Sequence, residues 1–182
     1  MALMHSNMVP LGTAAIDFSL PGANGKRYSL SSFEDKTILI IIVMCNHCPY
    51  VKAVFGRLRD IQDDYGNKGV QLIGINPNNE IDYPEDSIEN MKRLVDDGTI
   101  NYPYLRDDSQ ETARKYDAVC TPDLYLYGPE RMLLYRGRLD DNWQDCSKVT
   151  SRDLRDAIEA VLNGEEVSTD QHPSMGCSIK WK

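Results

Sequence analysis

The most distinctive pattern in the sequence is an uninterrupted apolar run, Thr-Ile-Leu-Ile-Ile-Ile-Val-Met, at residues 37–44. The run is rich in β-branched residues and has no polar alternation, which is typical of a strand buried on both faces in a parallel α/β sheet. Apolar residues spaced by three or four follow over 51–65 and predict an amphipathic helix that ends at Gly66. A second buried strand is predicted at 70–75.

The rest of the chain continues this alternation of strands and helices. One hairpin is predicted ahead of the central strand, and another surrounds a Gly-Pro-Glu turn. The further predicted elements are the strands at 17–20, 26–30, 102–105, 124–127 and 132–136 and the helices at 87–97, 109–116 and 154–162. This order favours an α/β fold with a central mixed sheet and helices on both faces. We place one domain at residues 1–164 and a polar C-terminal tail at 165–182.

The composition is that of an ordinary globular protein. Of the 182 residues, 41% are hydrophobic and 26% are charged, and the net charge is −8. The acidic pI, about 4.8, argues against a nucleic-acid partner because phosphate contacts need clustered Lys and Arg. The longest apolar run, residues 38–45, is too short to span a membrane, and the first ten residues lack the features of a signal peptide. We therefore expect a cytoplasmic protein with no membrane partner.

The five cysteines favour redox or metal chemistry, because an odd number in a reducing compartment does not suggest a disulfide framework. Cys45-Asn46-His47-Cys48 lies where the buried strand ends and the helix begins. Two intervening residues allow one helical turn to bring both sulfurs together, and we expect the helix N-terminus to stabilise a thiolate on Cys45. A protonated His47 would add to this effect. Alternatively, the cysteines only fill the sheet edge and His47 is a solvated loop residue. Cys146 is predicted to be a surface thiol.

Four segments then resemble a known family. They are Cys-Asn-His-Cys-Pro-Tyr-Val-Lys at 45–52, Cys-Thr-Pro-Asp at 120–123, Tyr-Arg-Gly-Arg-Leu-Asp-Asp at 135–141 and Gly-Cys-Ser-Ile-Lys-Trp-Lys at 176–182. Together with the element order, they resemble the thioredoxin-like superfamily, and within it a peroxiredoxin-like subgroup (AhpC/TSA, redoxin and TlpA-like) with a CNHCPYVK motif. The resemblance implies a thioredoxin-like fold with an N-terminal hairpin extension.

The resemblance also implies residue roles. Cys45 matches the attacking cysteine and Cys48 the resolving one, with His47 in support. Pro122 matches the cis-proline that faces the dithiol, and we expect it to expose the backbone of Thr121 as an edge for an incoming peptide or thiol. The alternative for Pro122 is an ordinary trans turn.

The chain departs from two patterns of its relatives. Thioredoxins carry Trp before the first cysteine and a buried acid six residues before it, where this sequence has Met44 and Leu39. Peroxiredoxins use Pro-x-x-x-Thr-x-x-Cys to activate the peroxidatic sulfur and orient the peroxide. Counted back from Cys45, the corresponding positions are Ile42 and Ile38. This difference argues against peroxidase activity.

Two further cysteines are candidate auxiliary thiols. Cys120 lies two residues before the matched proline, and Cys177 lies in the tail, from which it could fold back toward the same place. Either thiol could instead complete a soft-metal site with Cys45, His47 and Cys48. Steric limits within one helical turn disfavour that set, so we expect no metal. The sequence has no Gly-rich phosphate motif, so we expect no nucleotide or other cofactor.

The sequence therefore predicts a thiol–disulfide oxidoreductase that exchanges a Cys45–Cys48 dithiol with substrate thiols or disulfides. The substrate would be a protein or a small molecule, and a thioredoxin or glutathione system would supply reducing equivalents. Two alternatives remain open at this point. One is a peroxiredoxin-like thiol peroxidase with an antioxidant role. The other is a non-enzymatic metal-binding or redox-sensing module.

Overall fold

The computed structural model describes residues 3–182, so the first two residues of the domain defined from the sequence lie outside it. Strands and helices alternate along this part of the chain as the apolar pattern predicts. The strands are β1 (Leu3–His5), β2 (Leu20–Pro21), β3 (Arg27–Tyr28), β4 (Ile38–Val43), β5 (Val70–Asn76), β6 (Tyr104–Arg106), β7 (Cys120–Thr121), β8 (Asp123–Tyr127), β9 (Leu133–Gly137) and β10 (Met175–Ser178). The helices are α1 (Pro49–Tyr65), α2 (Ile88–Asp96), α3 (Glu111–Lys115) and α4 (Asp153–Asn163).

The central sheet has five strands in the order β6–β5–β4–β8–β9. β4 pairs parallel with β5 and antiparallel with β8, so the sheet is mixed, as the sequence predicts. Ile41, in the middle of β4, lies opposite Ile73 on one side and Tyr125 on the other. The continuous apolar run therefore forms the central strand.

The sheet is covered on both faces because side chains alternate along each strand. Ile40 and its alternate neighbours in β4 pack in one apolar core with residues of α1, α2 and α4. Ile41 and its alternate neighbours pack in a second core with α3 and the segment that contains Phe18. All six residues of β4 are fully buried, which explains the absence of polar alternation.

The predicted N-terminal hairpin is present as the short antiparallel pair β2–β3. The C-terminal region differs from the polar tail that the sequence suggests. Residues 175–178 form β10, which lies between β1 and β7 in a separate three-stranded antiparallel sheet. Ser6 and Ser174 extend the first pairing, with a backbone hydrogen bond of 2.9 Å from Ser6 N to Ser174 O. Within residues 3–182, no helix has the length and apolar character needed to cross a bilayer.

Candidate active site

The Cys45–Cys48 pair lies at the junction of β4 and α1, at the end of the central strand. Cys45 follows the strand by two residues, and its exposed fraction is 1%, while Cys48 is fully buried. The helix begins at Pro49, a residue well suited to the first helical position, and Cys48 is the N-cap. The expectation that Cys45 occupies the helix N-terminus is therefore corrected: the helix starts later than the sequence suggests, and Cys48 takes that position.

The loop before β8 brings Thr121 and Pro122 against this pair. Thr121 Oγ1 lies 3.4 Å from Cys45 Sγ, and the Cys48 thiol donates to the Thr121 carbonyl oxygen at 3.3 Å. The Thr121–Pro122 peptide bond is cis, the isomer implied by the resemblance. The cysteine pair and the Thr121–Pro122 bond therefore meet at one place, although more than 70 residues separate them in the sequence.

The backbone edge at Thr121 is not open, in contrast to the expectation from sequence. β10 pairs with β7 along that edge, and Cys177 lies opposite Thr121. Gly176 approaches so closely that a Cβ at this position would lie 1.9 Å from Thr121 O. The physical reason is that the C-terminal segment satisfies the unpaired backbone of β7 from within the same chain.

The three other cysteines have different surroundings. Cys177 is buried in β10, and its thiol hydrogen-bonds to Cys48. Cys120 is also buried, and its sulfur contacts the carbonyl oxygen of Pro122 at 3.9 Å. Burial raises the pKa of the Cys120 thiol. Cys146 is exposed, as predicted. The structure therefore brings Cys177, more directly than Cys120, to the dithiol.

A buried carboxylate, Asp86, lies beside the dithiol. It accepts hydrogen bonds from the backbone N–H of Asn46 at 2.6 Å, from His47 Nδ1 at 2.6 Å and from Asn78 Nδ2 at 2.7 Å. His47 is thus bound to Asp86 and is not a solvated loop residue. Sequence reasoning missed Asp86, because Glu85 and Asp86 precede a helix N-cap and both match a solvated first turn. No local signal separates the buried acid from its neighbour.

The two residues between the cysteines are held in place from several directions. Tyr104 donates its hydroxyl to Asn46 Oδ1 at 2.7 Å, and Asn46 Nδ2 donates to the Glu85 carbonyl oxygen at 2.8 Å. The His47 ring stacks on Tyr83 with a centroid distance of 5.2 Å. Because Asn46 and His47 lie ahead of the helix and both side chains are fixed, tertiary contacts hold the loop that joins the two cysteines.

The two thiols have opposite pKa shifts. The pKa of Cys45 is raised well above its usual range by the hydrogen bond with Cys48, by burial and by the negative charge of Asp86. The pKa of Cys48 is lowered to about 5 by the hydrogen bond with Cys45, and the Cys177 thiol and the backbone N–H of Val51 lower it further against the effect of burial. When the reduced pair ionises, the negative charge therefore falls on Cys48, which in that form accepts from the Cys45 and Cys177 thiols and no longer donates to the Thr121 carbonyl oxygen.

The side-chain atoms of Cys45, His47 and Asp86 that could bind a metal ion all lie within 4.8 Å of one another. This set differs from the soft-metal set that the sequence analysis considered and disfavoured: Asp86 replaces Cys48, which is turned toward Cys177 and Thr121. Sulfur, imidazole nitrogen and carboxylate oxygen are all ligands that Zn²⁺ accepts. His47 Nδ1 already serves as the hydrogen-bond donor to Asp86, so binding an ion through that atom would displace the hydrogen bond.

A cavity of about 180 Å³ opens beside Pro122. Its walls come from α1, β8, the loop after β9 and the C-terminal segment that leads into β10. The apolar side chains that line it include Tyr50, Val54, Pro122, Leu124, Trp143 and Met175. Tyr50 and Trp143 are in ring contact, with a centroid distance of 4.2 Å. The cavity offers a mainly apolar surface that begins two residues after Cys48 along the chain, and its lining also includes Arg138, Asp140 and Asp141.

Known proteins resemble this chain in sequence and in structure. An uncharacterized conserved protein from Geobacillus kaustophilus is 42% identical, with all of this chain and 97% of that chain covered and a TM-score of 0.95. Peroxiredoxin Bcp of Escherichia coli is 24% identical over 110 residues, which are 60% of this chain and only 65% of that protein. A putative protein disulfide isomerase from Bacteroides thetaiotaomicron is 21% identical, with 90% and 95% of the two chains covered and a TM-score of 0.66.

The last of these similarities shows the fold and confirms that it is thioredoxin-like. The sequence model of the AhpC/TSA family matches residues 11–136, which include β4, the dithiol, the Thr121–Pro122 loop and β8. This chain belongs to the AhpC/TSA family.

Proposed function

We propose that the protein is a thiol–disulfide oxidoreductase whose Cys45–Cys48 dithiol exchanges with substrate thiols or disulfides. The observation that carries the proposal is a Cys48 sulfur whose pKa is lowered to about 5 and which hydrogen-bonds to the thiol of Cys45, in the loop between β4 and α1. A thiolate at neutral pH is the form that attacks a disulfide, and an adjacent thiol resolves the mixed disulfide that results.

The proposed order of events follows from where the charge lies. The Cys48 thiolate attacks one sulfur of the substrate disulfide, forms a mixed disulfide and releases the other substrate sulfur as a thiolate. Cys45 then loses its proton and attacks Cys48, which releases the second substrate thiolate and leaves a Cys45–Cys48 disulfide. This order reverses the roles that the family resemblance implies. Asp86 opposes early ionisation of Cys45 and so favours Cys48 as the first nucleophile.

His47, Thr121 and Pro122 act in this proposal as positioning groups. Thr121 contacts both sulfurs, and His47 is held by Asp86 next to Cys45. The apolar cavity beside Pro122 would receive a side chain of a protein substrate. We further propose a cytoplasmic location, with a thioredoxin or glutathione system as the reductant, because the exposed Cys146 thiol suits a reducing compartment.

Titration of the reduced protein with oxidised glutathione tests this function. We expect each molecule to lose two thiols, with Cys48 in every disulfide and Cys45 among its partners, while two reduced glutathione molecules are released. Cys48→Ser should slow the release at least 100-fold, and Cys146→Ser, which alters only an exposed thiol, should leave it unchanged. Exchange that persists in Cys48→Ser at the wild-type rate would refute the proposal.

A thiol peroxidase is a second candidate. The local sequence lacks the peroxiredoxin threonine, but Thr121 supplies a hydroxyl 3.4 Å from Cys45 Sγ from another part of the chain. Peroxide would oxidise a thiolate to a sulfenic acid, which condenses with the other thiol and releases water. The raised pKa of Cys45 argues against rapid attack by that sulfur. Stopped-flow consumption of hydrogen peroxide by the reduced protein separates the two candidates, and we expect it to be slower than exchange with glutathione disulfide.

A further inference from the structure

A third sulfur is joined to the dithiol. Cys48 hydrogen-bonds to the thiols of both Cys45 and Cys177. The first of these partners lies in the loop after β4, and the second lies in the C-terminal strand β10. Cys177 has an exposed fraction of 3%. All three cysteines lie in the same core cluster.

The position of Cys177 is fixed by the backbone. β10 pairs with β1 on one side and with β7 on the other, and Cys177 lies opposite both Leu3 and Thr121. The close approach of Gly176 to Thr121 O brings β10 directly against the cis-proline loop that contacts both active sulfurs. The thiol is therefore held at the dithiol by two strand pairings.

The contact also has an electrostatic consequence. The Cys177 thiol helps to lower the pKa of Cys48, while burial and the hydrogen bond to Cys48 raise the pKa of Cys177 to about 12. A neutral thiol beside a buried thiolate can share its proton with that sulfur, and it can attack the same sulfur once a substrate disulfide has oxidised Cys48. Cys120, although close in sequence to Thr121, makes its contact with a carbonyl oxygen.

We propose that Cys177 is a second resolving thiol, so that Cys48 forms a disulfide alternately with Cys45 and with Cys177. The proposal rests on the function proposed above, because it uses the same Cys48 sulfur. The Cys48–Cys177 bond links the C-terminal strand covalently to the start of α1. When it replaces the Cys45–Cys48 bond, the oxidised partner of Cys48 changes from Cys45 to Cys177 in the three-stranded sheet.

The exchange balances within the molecule. Cys177 gives up its proton and attacks the Cys48 sulfur of the Cys45–Cys48 disulfide. The Cys48–Cys177 bond forms, the Cys45–Cys48 bond breaks, and Cys45 leaves as a thiolate that takes up the proton. One thiol and one disulfide enter the exchange, and one thiol and one disulfide leave it, so no oxidant is needed beyond the substrate disulfide that formed the first bond. In the same way, Cys177 can displace a substrate thiolate from a mixed disulfide at Cys48.

The test uses variants that lack Cys45. Reduced Cys45→Ser is mixed with oxidised glutathione, quenched in acid, alkylated and analysed by mass spectrometry. We expect an intramolecular Cys48–Cys177 disulfide and little glutathione adduct. Cys45→Ser/Cys177→Ser should accumulate at least tenfold more adduct on Cys48. The matched control, Cys45→Ser/Cys146→Ser, should behave as Cys45→Ser does.

Equal accumulation of the adduct in Cys45→Ser and in Cys45→Ser/Cys177→Ser would overturn the proposal, as would a link from Cys48 to Cys120. The wild-type protein gives a second measurement that needs no buried substitution. After equilibration with a glutathione redox buffer, peptide mapping should find some molecules with a Cys45–Cys48 bond and others with a Cys48–Cys177 bond. Complete absence of the Cys48–Cys177 bond would also overturn the proposal. Failure of the proposed function is distinguishable, because wild-type protein would then form no disulfide at Cys48 at all.

Discussion

Gly176→Ala is the perturbation that tests most directly whether β10 closes the site. The added Cβ would lie 1.9 Å from the carbonyl oxygen of Thr121 and 2.6 Å from its carbonyl carbon. Ordinary contact begins at 3.4 Å, so the strand must recede by about 1.5 Å. The obstructing atoms belong to backbone that is fixed by its place between β10 and the dithiol, so no flexible side chain can move away to relieve the overlap.

The size of the effect follows from this geometry. Overpacking in a well-packed interior costs about 1–3 kcal/mol, and a clash with backbone belongs at the upper end. We expect the free energy of unfolding to fall by about 3 kcal/mol. As β10 recedes, the four buried cysteines lose their cover, whereas in the wild-type protein only Cys146 is exposed. The buried thiols should then react with an aromatic disulfide reagent at least tenfold faster.

Gly56→Ala provides the matched control. Gly56 lies on the exposed side of α1, and a Cβ there would have nothing within 4 Å. Alanine is the better helix former, so this variant should be more stable by about 0.5–1 kcal/mol and keep the slow thiol reaction. Urea unfolding and the time course of thiol titration measure both quantities. If Gly176→Ala matched Gly56→Ala in both, the reasoning that β10 covers the dithiol would be refuted.

Three further predictions concern charges in the interior. Asp86→Asn should lower the free energy of unfolding by about 2–4 kcal/mol in urea, because an amide nitrogen cannot accept the hydrogen bonds that the carboxylate accepts. Alkylation mapping should show a greater share of the label on Cys45, and an unchanged ratio of label on Cys45 and Cys48 would contradict the role given to the carboxylate. Because the pKa of Cys48 is lowered on folding, the unfolded chain binds more protons than the folded protein between about pH 5 and pH 9. The reduced protein should therefore gain stability as the pH rises through this window and lose it as the pH falls toward 5, and Cys48→Ser should abolish this dependence. Asp123→Asn leaves the fully buried Arg136 without the carboxylate that it contacts at 2.9 Å, and should cost about 3–5 kcal/mol in urea unfolding; a loss under 1 kcal/mol would show that the pair contributes little.

The central strand and the dithiol could be predicted because their signals are local. Residues 38–44 must be buried on both faces wherever they lie, since all of them are apolar. The helix that follows shows its apolar face by its spacing, and the cysteine pair is separated by two residues at the junction. In each case the physical constraint acts between residues that are close in the sequence.

The buried acid could not be predicted because its burial depends on distant partners. Asp86 resembles any acid next to a helix N-cap, and it is separated from Asn46 and His47 by about 40 residues. The position of the charge within the dithiol depends on the same contacts. Thus the sequence indicates that two sulfurs meet, while the surrounding carboxylate and backbone N–H groups decide which of them ionises.

The C-terminal strand shows the same division. Met175–Ser178 has neither apolar alternation nor a run of β-branched residues, so its composition favours a polar tail. It becomes a strand because β1 and β7, at the start and in the second half of the chain, both offer unpaired backbone groups. The amino-acid sequence alone determines the layered α/β core and the cysteine pair at its edge, since burial and helical spacing are properties of neighbouring residues. Only the tertiary structure decides that β10 covers that pair and that Cys177 joins it, because hydrogen bonding between strands has no signature in the segment that supplies the strand.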